Sequence, residues 1–260
     1  MGLIFDALFW IAWVVVHGAA AAVAIWAGSA LWGPHLAQQA GAVVAGYLVF
    51  LHAFVLVAGG LRRLVQPRLV EGRTPIGLNR MYVAWGIQSV FQGLFTTSFV
   101  ARQVHILFYL RWLYYRLMGM QLSLSTLIGT QAVIRQAELI RLGPKVIVGE
   151  DSMLVPHLSP DGKTHVQRGI HIGARSVVGG RASVGPGARV GEDSVIGAHA
   201  LLTLDVTLGD RVRLGPGVVL LPGVTIGDDA RVLAGAVVKE KTTIPPGEIW
   251  AGNPAAPVRS

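Results

Sequence analysis

A chain of 260 residues has room for one large domain or two modest ones, and here 52% of the residues are hydrophobic against 14% charged. That balance excludes an ordinary soluble surface over the whole length, and the absence of cysteine excludes a disulfide framework or a thiolate nucleophile. A formal charge of +8 would suit nucleic acid, but the basic residues are scattered or sit beside apolar segments, so membrane lipid is the expected partner and nucleic acid is not.

From Ala7 to Trp32 the chain carries no charge, and Asp6 stands alone before that run. The run exceeds the roughly 20 residues that cross a bilayer. A signal peptide would put basic residues ahead of a shorter apolar core, so a retained transmembrane helix is predicted. Gly33 and Pro34 make a turn, and a second uncharged run, Gly41 to Leu61, forms the return helix. Arg62, Arg63, Arg68, Arg73 and Arg80 follow, opposed only by Glu71. The positive-inside rule places that end in the cytoplasm and residues 33–40 outside. Residues 1–66 are thus read as a hairpin in the cell's inner, cytoplasmic membrane. His17, His35 and His52 are expected at packing or interface positions.

Residues 67–120 are predicted to be an interfacial, amphipathic helical linker. Met81 to Ala101 is uncharged but dotted with Gln88, Ser89, Gln92, Thr96, Thr97 and Ser98. A third span, a re-entrant helix and an interfacial helix all fit that pattern. From Val104 to Met118, aromatic side chains interleave with Arg111 and Arg116, a chemistry that suits the headgroup layer.

Past Gly119 the period changes to six. Apolar residues recur at Ile172, Val178, Val184, Val190, Ile196, Leu202 and so on in an unbroken frame to Ile244 and Trp250. Such a repeat predicts a parallel β-helix over residues 121–260, each six-residue step giving a short strand and a corner. Ordinary two-faced strands would show period two and irregular turns. Glycine follows many of the stops, as at Gly173, Gly179 and Gly197, where corner angles are the expected reason. The fifth position is small, as at Ser176, Ala182 and Ala188, as a narrow interior requires. Leu122, Ile128, Ile134 and Ile140 begin the frame; a slip of two is predicted across Leu142–Lys145 before it resumes at Val148 and Leu154. Between Leu154 and Ile172 the spacing is eighteen, read as a whole coil, yet the content is polar. A loop carrying His157, His165 and His171 is expected there, and loops on rigid scaffolds are where chemistry tends to sit.

The closing run from Leu220 to Arg259, with the Pro156–His157–Leu158 segment upstream, resembles the hexapeptide-repeat acyltransferases, in particular the maltose/galactoside O-acetyltransferase-like group. That resemblance covers roughly 150–260 and implies a left-handed β-helix. From about Asn79 onward the arrangement is also similar to the membrane-embedded carboxy-terminal region of nonribosomal-peptide-synthetase-like proteins of the poly-lysine synthetase type. The resemblance implies that His157 is a general base, taking a proton from an acceptor hydroxyl or amine that attacks the thioester of acetyl-CoA or another acyl-CoA. It implies donor contacts at Ala234, Gly235, Ala236 and Lys239, with Lys241 and Arg259 toward the phosphates, and a homotrimer with no metal. Ala236 stands where the family usually has serine. His165, His171 and His199 have no counterpart in the motif and are expected to be structural or solvent-facing.

Taken together these features predict a membrane-anchored acyltransferase acting in the cytoplasm on a lipid-linked or membrane-confined acceptor. Two readings compete with it. A non-catalytic scaffold would not need the polar excursion at 154–172. A zinc hydratase of the γ-carbonic anhydrase type needs three converging histidines, and the gaps between His157, His165 and His171 do not match its spacing.

Overall fold

The two uncharged runs form α1 (Gly2–Ala30) and α2 (Leu36–Val65) in a computed structural model that describes residues 2–97 and 99–258. Both helices are long and apolar enough to cross a membrane. They approach closely because small residues meet: a Cβ on Gly28 would lie 3.3 Å from the Ala42 carbonyl oxygen, and one on Gly46 3.3 Å from that of Ala24. The histidines of these helices satisfy themselves locally, His17 Nδ1 on the Trp13 carbonyl at 2.8 Å and His52 Nδ1 on that of Leu48 at 2.7 Å.

Three further helices, α3 (Arg80–Thr97), α4 (Phe99–Ile106) and α5 (Phe108–Leu117), complete a helical unit of residues 2–68 and Val83–Met118. In α5 the alternation of aromatic residues and arginine does not make a purely outward face. Tyr114, Tyr115 and Arg111 are buried, and Tyr114 stacks on Phe95 with ring centroids 3.8 Å apart, while Phe108 and Tyr109 stay exposed.

The second unit takes in Leu69–Tyr82 and residues 119–258. It is the expected left-handed parallel β-helix, about seven coils long. Three flanks run its length: the first from Leu127–Ile128 to Ile249–Gly252, the second from Val133–Ile134 to Val237–Val238, the third from Ile140–Leu142 to Thr243–Ile244. Each strand is two to four residues long and pairs with its counterpart one coil on, as Val178 with Ile196 and Ile196 with Leu214. The stops of the six-step are the core: Val178, Val184, Ile196, Leu202, Leu220 and Val238 are each fully buried.

The glycines after the stops have a different cause from the expected corner angles. A Cβ on Gly197 would lie 2.4 Å from the carbonyl carbon of Gly215, and one on Gly179 2.6 Å from the nitrogen of Ala198. Stacked backbones exclude a side chain there. The left-handed backbone falls instead two positions later, at Arg175, Asp193, Arg211, Asp229 and Gly247, with φ between 54° and 74°. That turn aims each of those N–H groups at the preceding coil: Asp193 donates to Ala174, Arg211 to Glu192 and Asp229 to Asp210, at 2.8–2.9 Å.

The frame also breaks where it was not expected. Ile134 pairs with Leu154, twenty positions on, but the inward residue of the third flank is Leu142, which pairs with Ile172. The slip therefore lies between Ile134 and Leu142, not across 142–145, and consists of Gln136 in the left-handed region (φ 37°) and a single turn of 3-10 helix, Ala137–Leu139. Nor is 154–172 a whole coil. Leu154 pairs with Val184 and Leu142 with Ile172, each thirty positions on, so this span is one side of the prism with an excursion inserted.

Candidate active site

The excursion is a β-hairpin. His157–Leu158 pairs antiparallel with Thr164–Gln167, placing His157 opposite Gln167. Asp161 forms the turn, its Oδ1 accepting from the N–H groups of Lys163 and Thr164 at 3.0 and 2.6 Å and its Oδ2 from the Thr164 hydroxyl at 2.8 Å. These donors, Thr164 first, hold the Asp161 carboxyl below its usual range. A third strand, Gly72–Pro75, lies antiparallel on the other edge, with Gly72 opposite Gln167 and Thr74 opposite His165. Sequence reading placed no strand here, because four residues with Pro75 at the end carry no period to detect.

Side chains of one face of this small sheet converge. His157 is half-buried, while His165 and Gln167 are almost completely buried. His157 Nδ1 lies 2.6 Å from Gln136 Oε1. The amide oxygen only accepts, so Nδ1 carries the proton and Nε2 is the basic nitrogen. The His165 ring lies nearly parallel to that of His157, with centroids 5.6 Å apart. Tyr82 meets His165 edge-on at 5.6 Å. His165 Nε2 is 3.5 Å from Gln167 Oε1, and the Gln167 amide nitrogen donates to the Val70 carbonyl at 2.9 Å.

The electrostatics keep both imidazoles neutral. Burial, then His165, then Arg135 push His157 down to about 4. Burial also lowers His165, with the Gln167 contact opposing it. A neutral imidazole held in one tautomer can take a proton through Nε2.

The structure thus adds Gln136, His165 and Gln167 to the histidine found from sequence. Gln136 was hidden because it lies in the irregular turn that displaces the frame, twenty-one positions before His157 in the chain. His165 had a detectable signal, since hairpin geometry puts alternate residues of one strand on the face of the residue opposite.

Among the other predicted contacts, Lys239 and Lys241 are exposed on the corner between the second and third flanks. The histidine hairpin leaves from that same edge, followed coil by coil by Gly187, Asp205, Gly223 and Lys241. Lys241 is therefore four coils on, roughly 19 Å along the axis at about 4.8 Å per coil. Ala234 and Gly235 lie on the corner between the first and second flanks, and Ala236 is sealed inside the prism. Arg259 lies outside the described residues. His199 occupies an exposed left-handed corner (φ 59°), and His171 faces outward on the third flank. Among the described residues no group of three His, Asp or Glu side chains is placed to hold a metal ion.

Residues 205–240 match the family model described as bacterial transferase hexapeptide (six repeats), and residues 169–203 that of the hexapeptide repeat of succinyl-transferase. No curated protein matches the chain. Among solved structures, it is similar to PerB from Caulobacter crescentus in complex with CoA and GDP-perosamine, at 26% identity over 58% of this chain and 65% of that one (TM-score 0.44). It is also similar to the acetyltransferase domain of PglB from Neisseria gonorrhoeae in complex with acetyl coenzyme A, at 20% identity over 60% and 67% (TM-score 0.38). A variant of AntD, an N-acyltransferase from Bacillus cereus, gives 18% identity over 56% and 86% (TM-score 0.47). The chain spans 65% of the length of the first of these structures. With a six-residue frame, a three-flanked prism and both family models falling within it, the β-helical part of this chain carries the hexapeptide repeat of bacterial transferases over residues 169–203 and 205–240.

Proposed function

We propose that the protein is a membrane-anchored, acetyl-CoA-dependent acyltransferase with His157 as general base. The observation that carries this reading is the Nδ1–Gln136 contact at 2.6 Å, which commits His157 to the tautomer a base requires. Nε2 takes the proton of an acceptor hydroxyl or amine as its lone pair attacks the thioester carbonyl. The carbon–sulfur bond then breaks, and the departing thiolate takes the proton back from His157. The donor runs along the edge that joins the hairpin to Lys241, with Lys239 and Lys241 toward its phosphates.

Two apolar helices support anchoring in the cytoplasmic membrane, with the β-helix on the cytoplasmic side where the arginines after α2 gather. An anchored enzyme suits a lipid-linked or membrane-confined acceptor. A homotrimer is supported by the second flank, whose outward residues Val133, Met153, Leu201, Val219 and Val237 are apolar, with Ser183 between Met153 and Leu201. Incubation of the protein in detergent with radiolabelled acetyl-CoA and a membrane-extract acceptor pool tests the reading. Transfer by the wild type that disappears in His157→Ala supports it; equal transfer by both removes His157 as the base. Failure to bind coenzyme A by calorimetry would favour a carrier-protein donor or a scaffold.

A further inference from the structure

The third flank holds a second cluster of ionisable side chains that the transfer chemistry leaves unused. Strand register sets Arg141 beside His171 and His171 beside Arg189, all on outward positions. Neighbouring strands are about 4.8 Å apart, so the two arginines stand about 9.6 Å apart on either side of His171.

Elsewhere this chain neutralises its stacked cations. Arg175 reaches Glu192 and Asp193 at 2.6 and 2.7 Å, Arg211 reaches Asp229 at 2.7 Å, and Arg168 grips Asp205 through both carboxylate oxygens at 2.8 and 2.7 Å. Arg213, stacked on Arg231, has Asp193 near enough to offset it. Arg141 and Arg189 have no ion-pair partner among the described residues. After burial, their two charges hold the His171 imidazole below its ordinary range, and only Glu71 acts the other way.

Relief rises on both sides of this stack. One cleft of about 530 Å³ is lined by Gln121, Ser123, Arg141 and His171; another of the same volume is lined by Glu71, Gly72, Arg168, Arg189 and Thr207. On the second cleft Arg168 already grips the Asp205 carboxylate, which leaves Arg189 facing Glu71 as the other carboxylate of the lining. The outward residues further along this flank are Thr207, Thr225 and Thr243, so it lacks the apolar outward residues of the second flank.

We propose that the Arg141–His171–Arg189 face binds the phosphate of a phosphorylated substrate, as a monoester or a diphosphate. An anion seated across the two guanidinium groups supplies the acceptors they lack, and arginine matches phosphate geometry in bidentate fashion. The histidine hairpin leads into the second strand of this flank, since His171 follows Gln167, the partner of His157, by four positions. The phosphate would therefore sit beside the reacting groups. This deepens the acyltransferase reading, and rests on it only for the source of the phosphate, which is the acceptor, because the donor's phosphates are assigned to Lys239 and Lys241 four coils on.

Calorimetry on the full chain in detergent tests it, with inorganic pyrophosphate, coenzyme A and a short-chain polyprenyl monophosphate as probes. Wild type should bind pyrophosphate, and the double variant Arg141→Gln/Arg189→Gln should bind it at least tenfold more weakly, with His171→Gln in between. The polyprenyl monophosphate should lose affinity in parallel, whereas a parallel loss for coenzyme A alone would overturn the assignment to the acceptor. Unchanged pyrophosphate affinity in the double variant, or no pyrophosphate binding by wild type, overturns the proposal. Because binding is read without transfer, a protein that binds through these residues but fails the His157→Ala comparison would refute the catalytic reading alone.

Discussion

Gln136 and His157 meet at 2.6 Å because the repeat breaks between Ile134 and Leu142. The irregular turn that carries Gln136 at φ 37° is what brings its amide to the imidazole. Replacing it with glutamate keeps the shape and adds a negative charge, which favours the imidazolium. Gln136→Glu should move the acid limb of the pH–rate profile upward from near pH 4, measured as kcat/KM over pH 3.5–8. A limb that stays in place would mean that this contact does not set the base.

Loss of the base itself should cost far more. His157→Ala should lower kcat by about 10²–10⁴-fold, the usual contribution of general base catalysis. Binding of coenzyme A, followed by calorimetry, should change by less than about threefold if His157 acts on the acceptor proton alone.

Stability should respond to the same histidine. Its folded-state value of about 4 lies below the ordinary 6.5, so between those values the unfolded chain binds the extra proton. Stability is complete above about pH 6.5 and is lost as pH falls toward 4. In His157→Gln the slope of melting temperature against pH over that window should flatten in part, leaving the contributions of His105, His165 and His171, each lowered in the same direction.

Two kinds of glycine predict two kinds of defect. Gly197→Ala drives a Cβ to 2.4 Å from the next coil's backbone and should destabilise the β-helix by about 1–3 kcal/mol, the range for overpacking. Gly247→Asn, at φ 74° with open space around it, should cost well under about 1 kcal/mol, since asparagine tolerates the left-handed region. Thermal melts followed by circular dichroism would separate the two.

A chain without cysteine allows a clean test of the membrane arrangement. Leu36→Cys and Arg213→Cys both place the thiol at an exposed position. An impermeant maleimide should label them from opposite sides of sealed vesicles. Labelling of both from one side would overturn the two-span hairpin.

What could be read in advance followed from periodicity. Fourteen stops at a spacing of six can be satisfied only by stacking, so the prism and its inward residues were legible from Ile172 to Trp250. Period says nothing about why a residue is needed at its step. Gly197 was expected for its backbone angles and is needed for its lack of a Cβ, while Arg175 and Asp193 take the left-handed turn that glycine was expected to take. The site lies where the period fails, at Gln136 and between His157 and Gln167, and there only a family motif singled out His157. The strand Gly72–Pro75 depends on a pairing between distant segments, which no local pattern encodes.

The strand Gly72–Pro75 has a consequence for the order in which this protein becomes itself. A regular coil closes over eighteen residues, as Ile172 does on Val190, whereas Gly72 waits for Gln167, ninety-five positions later. Long closures are entropically slower than short ones, and a solenoid can propagate from any coil. During synthesis Gly72–Pro75 emerges first and stays without its partner until the hairpin has followed it. The two histidines are sealed only when that upstream segment returns to the hairpin.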